Sequence, residues 1–509
     1  MRKVKLVNGL LLVIALFPLS ILAQNIVSTQ DGKVKGYENK DVRIFKGIPF
    51  AQPPIGDLRW KAPQPAESWT GVKDCFEFGP SPIQNTPQPF FSWTEEFIAK
   101  PEPLSEDCLY LNVWTPAKSK NEKLPVFVWI YGGGFSSGSA NCDIYDGQDM
   151  AEQGVVFVSF NYRVGVFGFM AHPELSEESG YNASGNYGLM DQLQALKWVK
   201  NNIEAFGGDP NNVTIAGQSA GSFSVNAQIA SPLANGFFHK AIAQSGGILS
   251  GRLMQNLEDA EQQGETFMQL AGAQNLAELR DMSADSILKL GNQPTAGRFG
   301  VVSDGYFLPD DIAAHFESGQ QNQVPILTGW VTGDGNFLTP PNVTQESFNQ
   351  LGRDRFANRF DAFQTLFKVN NNEEAQKEQE KLALLDFAGV PAHKLAQFNS
   401  KKTWIYEFQH VPTDKPDFPN YGAFHTSEVP FALHTLDQWK RPWKPEERVF
   451  EDQMSSYWVN FAKSGNPNGK GLPNWKPYDV EDGEILLLEV ESIKMETKYS
   501  DEIKFLSQK

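Results

Sequence analysis

The sequence predicts an α/β protein with a mostly parallel central sheet, flanked by helices and interrupted by large loop insertions. Three observations lead there. Continuous apolar runs bounded by Pro or Gly recur along the chain, and a strand buried on both faces reads as such a run, not as an alternation. Segments with apolar residues at helical spacing lie between the runs, and strands alternating with helices build parallel sheets. Hydrophobic residues make up 40% of the 509, enough for one large core.

The elements follow in chain order. Arg2, Lys3 and Lys5 precede an apolar run from Leu10 to Ala23 that ends in small residues. At 14 residues it is short for a bilayer span. It is expected to be a secretory signal peptide over 1–23, leaving a single domain over 24–509 that is periplasmic or extracellular. Export puts the three cysteines in an oxidising compartment. Cys75 and Cys108 flank a segment rich in Pro, Phe and Trp and are expected to form a disulfide, closing a loop of roughly 33 residues worth about 3.7 kcal/mol. Cys142 is then a buried free thiol. Residues 126–131 and 155–160 read as buried strands, and 189–206 as a helix carrying Leu189, Leu193, Leu196, Val199 and Ile203. A short strand at 213–216 leads into a helix at 222–230. Further strands are expected at 241–244 and 325–330, a solvated helix at 370–385, and a last strand and helix after Asp479.

Lys+Arg 44 against Asp+Glu 61 gives −17, a balance that argues against nucleic acid as a partner. No run after the first 23 residues is long enough to span a membrane. No metal-spaced His/Cys/Asp cluster and no dinucleotide or P-loop fingerprint in the right context stands out, so no cofactor is implied.

Gly-x-Ser-x-Gly occurs twice, around Ser136 and around Ser219. The pattern carries chemistry only as a tight turn from strand to helix, which lifts the hydroxyl clear of the sheet. Ser219 follows the strand at 213–216 and opens a helix; Ser136 is followed by Asn141, Cys142 and Asp143 with no helical pattern. Ser219 is therefore the expected nucleophile. The first copy has another use. Gly133 and Gly134 follow a buried strand, and their N–H groups, with that of Ala220, are expected to hold a developing oxyanion. Phe135 and Gln218, adjacent to these groups, are expected to contact substrate.

The segments Ser105-Glu106-Asp107-Cys108-Leu109-Tyr110-Leu111-Asn112-Val113 and Phe206-Gly207-Gly208-Asp209-Pro210 through Gly221 resemble two signatures of the type-B carboxylesterase family, the cholinesterase and carboxylesterase group. Asn161-Tyr162-Arg163 and 185–192 resemble blocks between them, and the similarity runs from about Gly47 to Trp475. The resemblance implies an α/β-hydrolase fold and ester hydrolysis through a Ser–acid–His triad. In that fold the order is Ser, acid, His. Of the downstream histidines, His410 shares strand parity with Trp404, Tyr406 and Phe408, and His434 sits in an apolar helical stretch; both read as structural. His425 lies in a loop after a strand, where catalytic groups concentrate, and its block resembles the family's, including Glu428, Pro430 and Phe431. Asp334, between Gly333 and Gly335 just beyond the strand at 325–330, is the expected acid, with Asp304 and Asp310 as competitors. The resemblance also implies ion pairs Arg59–Glu106 and Arg163–Asp191. Ser245 is either a partner near the triad or a plain turn serine, and 89–93 either line the substrate gorge or pack the loop.

Two departures matter. Gln218 stands where the family commonly has Glu, which disfavours a cationic choline ester. A single expected disulfide, where animal relatives typically have more, suggests a bacterial-type enzyme. The sequence thus predicts a secreted serine carboxylesterase acting on small esters through Ser219, His425 and Asp334. Two readings stay open: a catalytically silent recognition domain of the same fold, and an amide or carbamate hydrolase on the same triad.

Overall fold

The apolar runs become the middle of an 11-stranded sheet. A computed structural model describes residues 25–508, so the expected signal peptide lies outside the described residues. In chain order the strands of this sheet are β1 (Tyr37–Asn39), β2 (Val42–Pro49), β3 (Tyr110–Thr115), β4 (Leu124–Ile130), β5 (Val156–Phe160), β6 (Gly208–Gln218), β7 (Lys240–Gln244), β8 (Ile326–Val331), β9 (Thr403–Phe408), β10 (Glu484–Leu488) and β11 (Lys494–Thr497). They lie in the order β11-β10-β9-β8-β7-β6-β4-β5-β3-β2-β1. From β10 to β5 every neighbouring pair is parallel. Antiparallel pairing is confined to the ends, at β10–β11 and from β5 through β3 and β2 to β1.

This layout follows from the side chains. β5 is buried along its whole length, as are β7, β8 and β9, because helices cover both faces of the parallel part. Trp114, Trp129, Trp330, Trp458 and Trp475 are fully buried around it. The expected helices are present, with α1 at Tyr187–Asn202 and α2 at Ala220–Ala230, each starting two residues before the sequence pattern suggested. The solvated helix runs over Asn372–Leu384, and the tail adds β10, β11 and a helix at Ser500–Ser507.

The register decides where chemistry can sit. Gly217 pairs with Ile130, Gln218 with Gln244, and Gln244 with Gly329. The carboxyl ends of β4, β6, β7 and β8 therefore finish level, and in parallel sheets ligands bind at that edge.

The expected disulfide is not formed: Cys75, Cys108 and Cys142 are all free and buried. The two thiols sit in different surroundings. Cys75 donates its N–H to Lys35 O and accepts from Lys46 N–H, which pins it beside β2. Cys108 lies in the surroundings of the buried Arg163–Asp191 pair. Burial pushes the Cys75 and Cys142 thiols up to about 12 and Cys108 well above its usual value, so the reactive thiolate is suppressed.

Candidate active site

Ser219 sits between β6 and α2 with φ +59° and ψ −125°. A non-glycine residue in this region is strained by about 1–3 kcal/mol, and its neighbours show how the strain is held. Ser219 N–H donates to Gln244 O at 3.0 Å, and Ser219 O accepts from Phe223 N–H at 3.0 Å as α2 begins. The turn crosses the end of β4 so closely that a Cβ on Gly221 would lie 2.1 Å from Ile130 O, and one on Gly217 would lie 2.6 Å from the Gly221 carbonyl carbon. Glycine is required at both positions by contact, which gives the pentapeptide its form.

His425 and Asp334 come from separate loops and meet. Asp334 lies in the short helix at Thr332–Leu338 directly after β8 and is fully buried. Its Oδ1 is 2.6 Å from His425 Nδ1, and its Oδ2 accepts from Val331 N–H at 3.2 Å. With Nδ1 facing a carboxylate, that nitrogen carries the proton and Nε2 presents its lone pair. Gln218 reads the same tautomer. Thr426 Oγ1 donates to Gln218 Oε1 at 3.4 Å, turning the amide nitrogen toward His425 Nε2 at 3.2 Å. Trp93 Nε1 in turn donates to Thr426 Oγ1 at 3.1 Å. No hydrogen bond joins Ser219 Oγ to His425 among the described residues. Both line one cavity of about 930 Å³, and such contacts commonly tighten only when substrate binds.

The competing residues are engaged elsewhere. Asp304 accepts from Tyr306 and Leu308 N–H groups in its own turn. His410 lies between Glu447 and Glu489, His434 reaches Asp452 and His393 meets Tyr478. Arg59–Glu106 and Arg163–Asp191 are both two-pronged pairs. Ser245 is more than a turn residue: its hydroxyl donates to Glu428 Oε1 at 3.4 Å, beside Gln244 Nε2 at the same distance.

Glu428 is the residue whose role sequence reasoning missed. It is fully buried, and its Oε2 has no hydrogen-bond partner among the described residues. Burial, reinforced by the nearby Asp334 charge, pushes its carboxyl up to about 8. That shift favours the neutral form of Glu428 behind the His425–Asp334 pair. An acid three residues after His425, directly ahead of the apolar run 429–433, was the available signal.

The cavity floor is mostly main chain. Gly132 approaches Ser219 so closely that a Cβ there would lie 3.0 Å from Ser219 Cβ. Gly133 and Gly134 line the cavity at φ +112° and +62°. Among the described residues neither of their N–H groups has a hydrogen-bond partner. Ala220 is the first residue of α2, so its N–H lacks an intrahelical acceptor. Phe135 departs from its expected role. It is fully buried, its ring packs 5.0 Å from that of Phe169, and it does not line the cavity of Ser219. The backbone turns at Phe135 (φ +61°), sending its side chain into the core beneath the glycines. Phe90 and Trp93 do line the cavity, and Phe91 is left exposed on the outside.

A buried acid–imidazole pair, a serine on a strained strand-to-helix turn and a floor of glycine amides, at the carboxyl edge of a parallel sheet, define a class of α/β-hydrolase. The chain belongs to the carboxylesterase family, which it matches over residues 23–505. It is 37% identical over 494 residues to para-nitrobenzyl esterase of Bacillus subtilis (strain 168), covering 92% of this chain and 96% of that one. It is 35% identical over 474 residues to fumonisin B1 esterase of Sphingopyxis macrogoltabida, covering 90% and 85%. A solved structure of PNB esterase superposes with a TM-score of 0.82 at 33% identity, covering 95% of this chain and 99% of that one. The α/β-hydrolase fold expected from the sequence is thus the fold of this chain.

Proposed function

We propose that this protein is an exported serine carboxylesterase acting on small esters. The observation that carries the proposal is the 2.6 Å contact of His425 Nδ1 with buried Asp334, in a cavity shared with the strained Ser219. Ser219 Oγ attacks the ester carbonyl while His425 Nε2 takes its proton. Asp334 keeps the imidazole oriented and offsets its positive charge. The N–H groups of Gly133, Gly134 and Ala220 receive the oxyanion, an interaction worth 10²–10³ in rate per donor in related sites. His425 returns the proton to the departing alkoxide. Water, activated by the same imidazole, then cleaves the acyl-enzyme.

Membership of the carboxylesterase family supports ester chemistry. The basic start and apolar run of the first 23 residues support export. The experiment is labelling of the protein with a fluorophosphonate, with the adduct mapped by mass spectrometry. A single adduct on Ser219, with loss of aryl-ester hydrolysis, is the expected result. An adduct on Ser136, or hydrolysis that survives complete labelling of Ser219, overturns the reading.

A further inference from the structure

The cavity is inverted in charge relative to the molecule around it. The whole chain carries −17, yet among the described residues the cavity has no Asp or Glu in its wall. Arg298 is the one Lys or Arg there. Gln218 contributes a neutral amide beside the reacting serine. A guanidinium has five N–H donors in a planar fork. One of them, on Nη2, is used to hold Gly134 O at 2.8 Å. No ion pair with a carboxylate is formed by Arg298 among the described residues. Arg298 is solvent-exposed at the cavity wall; partial desolvation lowers its pKa, with no acidic group acting in the other direction, and an arginine stays charged through such a shift. Its location is set by the same contact: a Cβ on Gly134 would stand 2.9 Å from Nη2. The guanidinium is therefore tied to the loop whose N–H groups are proposed to receive the oxyanion.

We propose that Arg298 makes this site selective for esters that also carry a carboxylate close to the scissile bond. The inference rests on the serine-esterase reading of the same cavity. A carboxylate fits the unused donors as a two-pronged, charge-assisted pair. The contact with Gly134 O fixes the fork next to the oxyanion position, so an acidic group on a short chain reaches both at once. Surface charge far from the cavity is screened at physiological salt, whereas a pair in direct contact lies well inside a Debye length.

The test compares acidic and neutral esters of matched size. Monoethyl succinate against ethyl butyrate places the carboxylate on the acyl side; O-acetylglycolate against ethyl acetate places it on the alcohol side. The wild type is expected to favour the acidic ester of at least one pair by about tenfold or more in kcat/KM, the scale of a charge-assisted hydrogen bond. Arg298→Gln is expected to remove that ratio through KM, and Arg298→Lys to retain part of it. Free succinate is expected to inhibit the wild type competitively and to lose that effect in Arg298→Gln. A wild type that shows no acidic preference in either pair overturns the inference, as does a variant that slows acidic and neutral esters equally, since Arg298 is then only a staple on the glycine loop. Failure of the underlying reading looks different: neither kind of ester is turned over and Ser219 takes no fluorophosphonate.

Discussion

The chain contains one five-residue pattern in two places, and the two copies fold to opposite ends. Around Ser219 the pattern closes β6 and opens α2, and the serine takes the strained φ of +59°. Around Ser136 it forms an exposed turn in which Ser136 N–H and hydroxyl both return to Gly133 O, at 3.1 and 3.2 Å. The leading glycines differ in the same way: Gly217 is squeezed against β4 and the start of α2, whereas Gly134 meets only the tip of Arg298 and the Ser136 hydroxyl, while the closing glycines Gly138 and Gly221 are both held by close backbone contact. In the proposed mechanism the first copy contributes amides and the second a hydroxyl. A pentapeptide therefore has no fixed chemistry, and the strand before it and the helix after it assign the role.

The sharpest way to break this comparison is to remove each hydroxyl. Ser219→Ala is expected to lower kcat by about 10⁴-fold or more, while Ser136→Ala keeps kcat/KM within the same order of magnitude. Equal losses in steady-state aryl-ester assays would erase the distinction. Next, Gly133→Ala tests whether the first copy acts through its backbone. A Cβ there would lie 2.2 Å from Ser137 O at a φ of +112°, so the loop must move. A fall of about 10²–10³ in kcat is expected, and an unchanged kcat would remove the loop from the chemistry.

The third prediction concerns the support behind the second copy. Glu428 has its folded-state value raised from 4.5 to about 8. The stability tied to its neutral form is complete below about pH 4.5 and is lost as pH climbs through about 8. Glu428→Gln has no such loss, so chemical denaturation should show the variant gaining on the wild type between those limits, by up to a few kcal/mol. A difference that stays constant with pH would mean Glu428 is ionised in the fold. The smallest effect is expected from reduction. Dithiothreitol should leave Tm unchanged, and a thiol reagent should find three groups on unfolding and none in the native protein. A titre of one after unfolding would restore a disulfide.

The sheet was legible because burial on both faces writes itself as uninterrupted apolar runs; β4, β5, β7 and β8 fall within a residue or two of the sequence reading. The antiparallel strands β1, β2 and β3 were missed, since Arg43, Lys46 and Asn112 break the pattern. Ser219, Asp334 and His425 were singled out from turn chemistry, chain order and the family-like blocks, and the structure brings Asp334 and His425 into contact in the cavity that Ser219 lines. The rest depended on what surrounds a residue in space. Phe135 was assigned by adjacency, but its positive φ turns it away from the cavity. Cys75 and Cys108 suggested a bridge by their spacing, and spacing says nothing about which strand pins each sulfur. Arg298 belongs to no motif; its meaning comes from the lack of acids around it.

The donors proposed for the oxyanion are peptide groups, so a change of side chain displaces them and only proline deletes one. New preferences therefore arise more readily in the side-chain walls, two stretches of which lie far apart in the chain, around 83–99 and 288–299. A lineage can exchange those walls piecemeal and acquire a new diet while its reactive centre goes on unaltered.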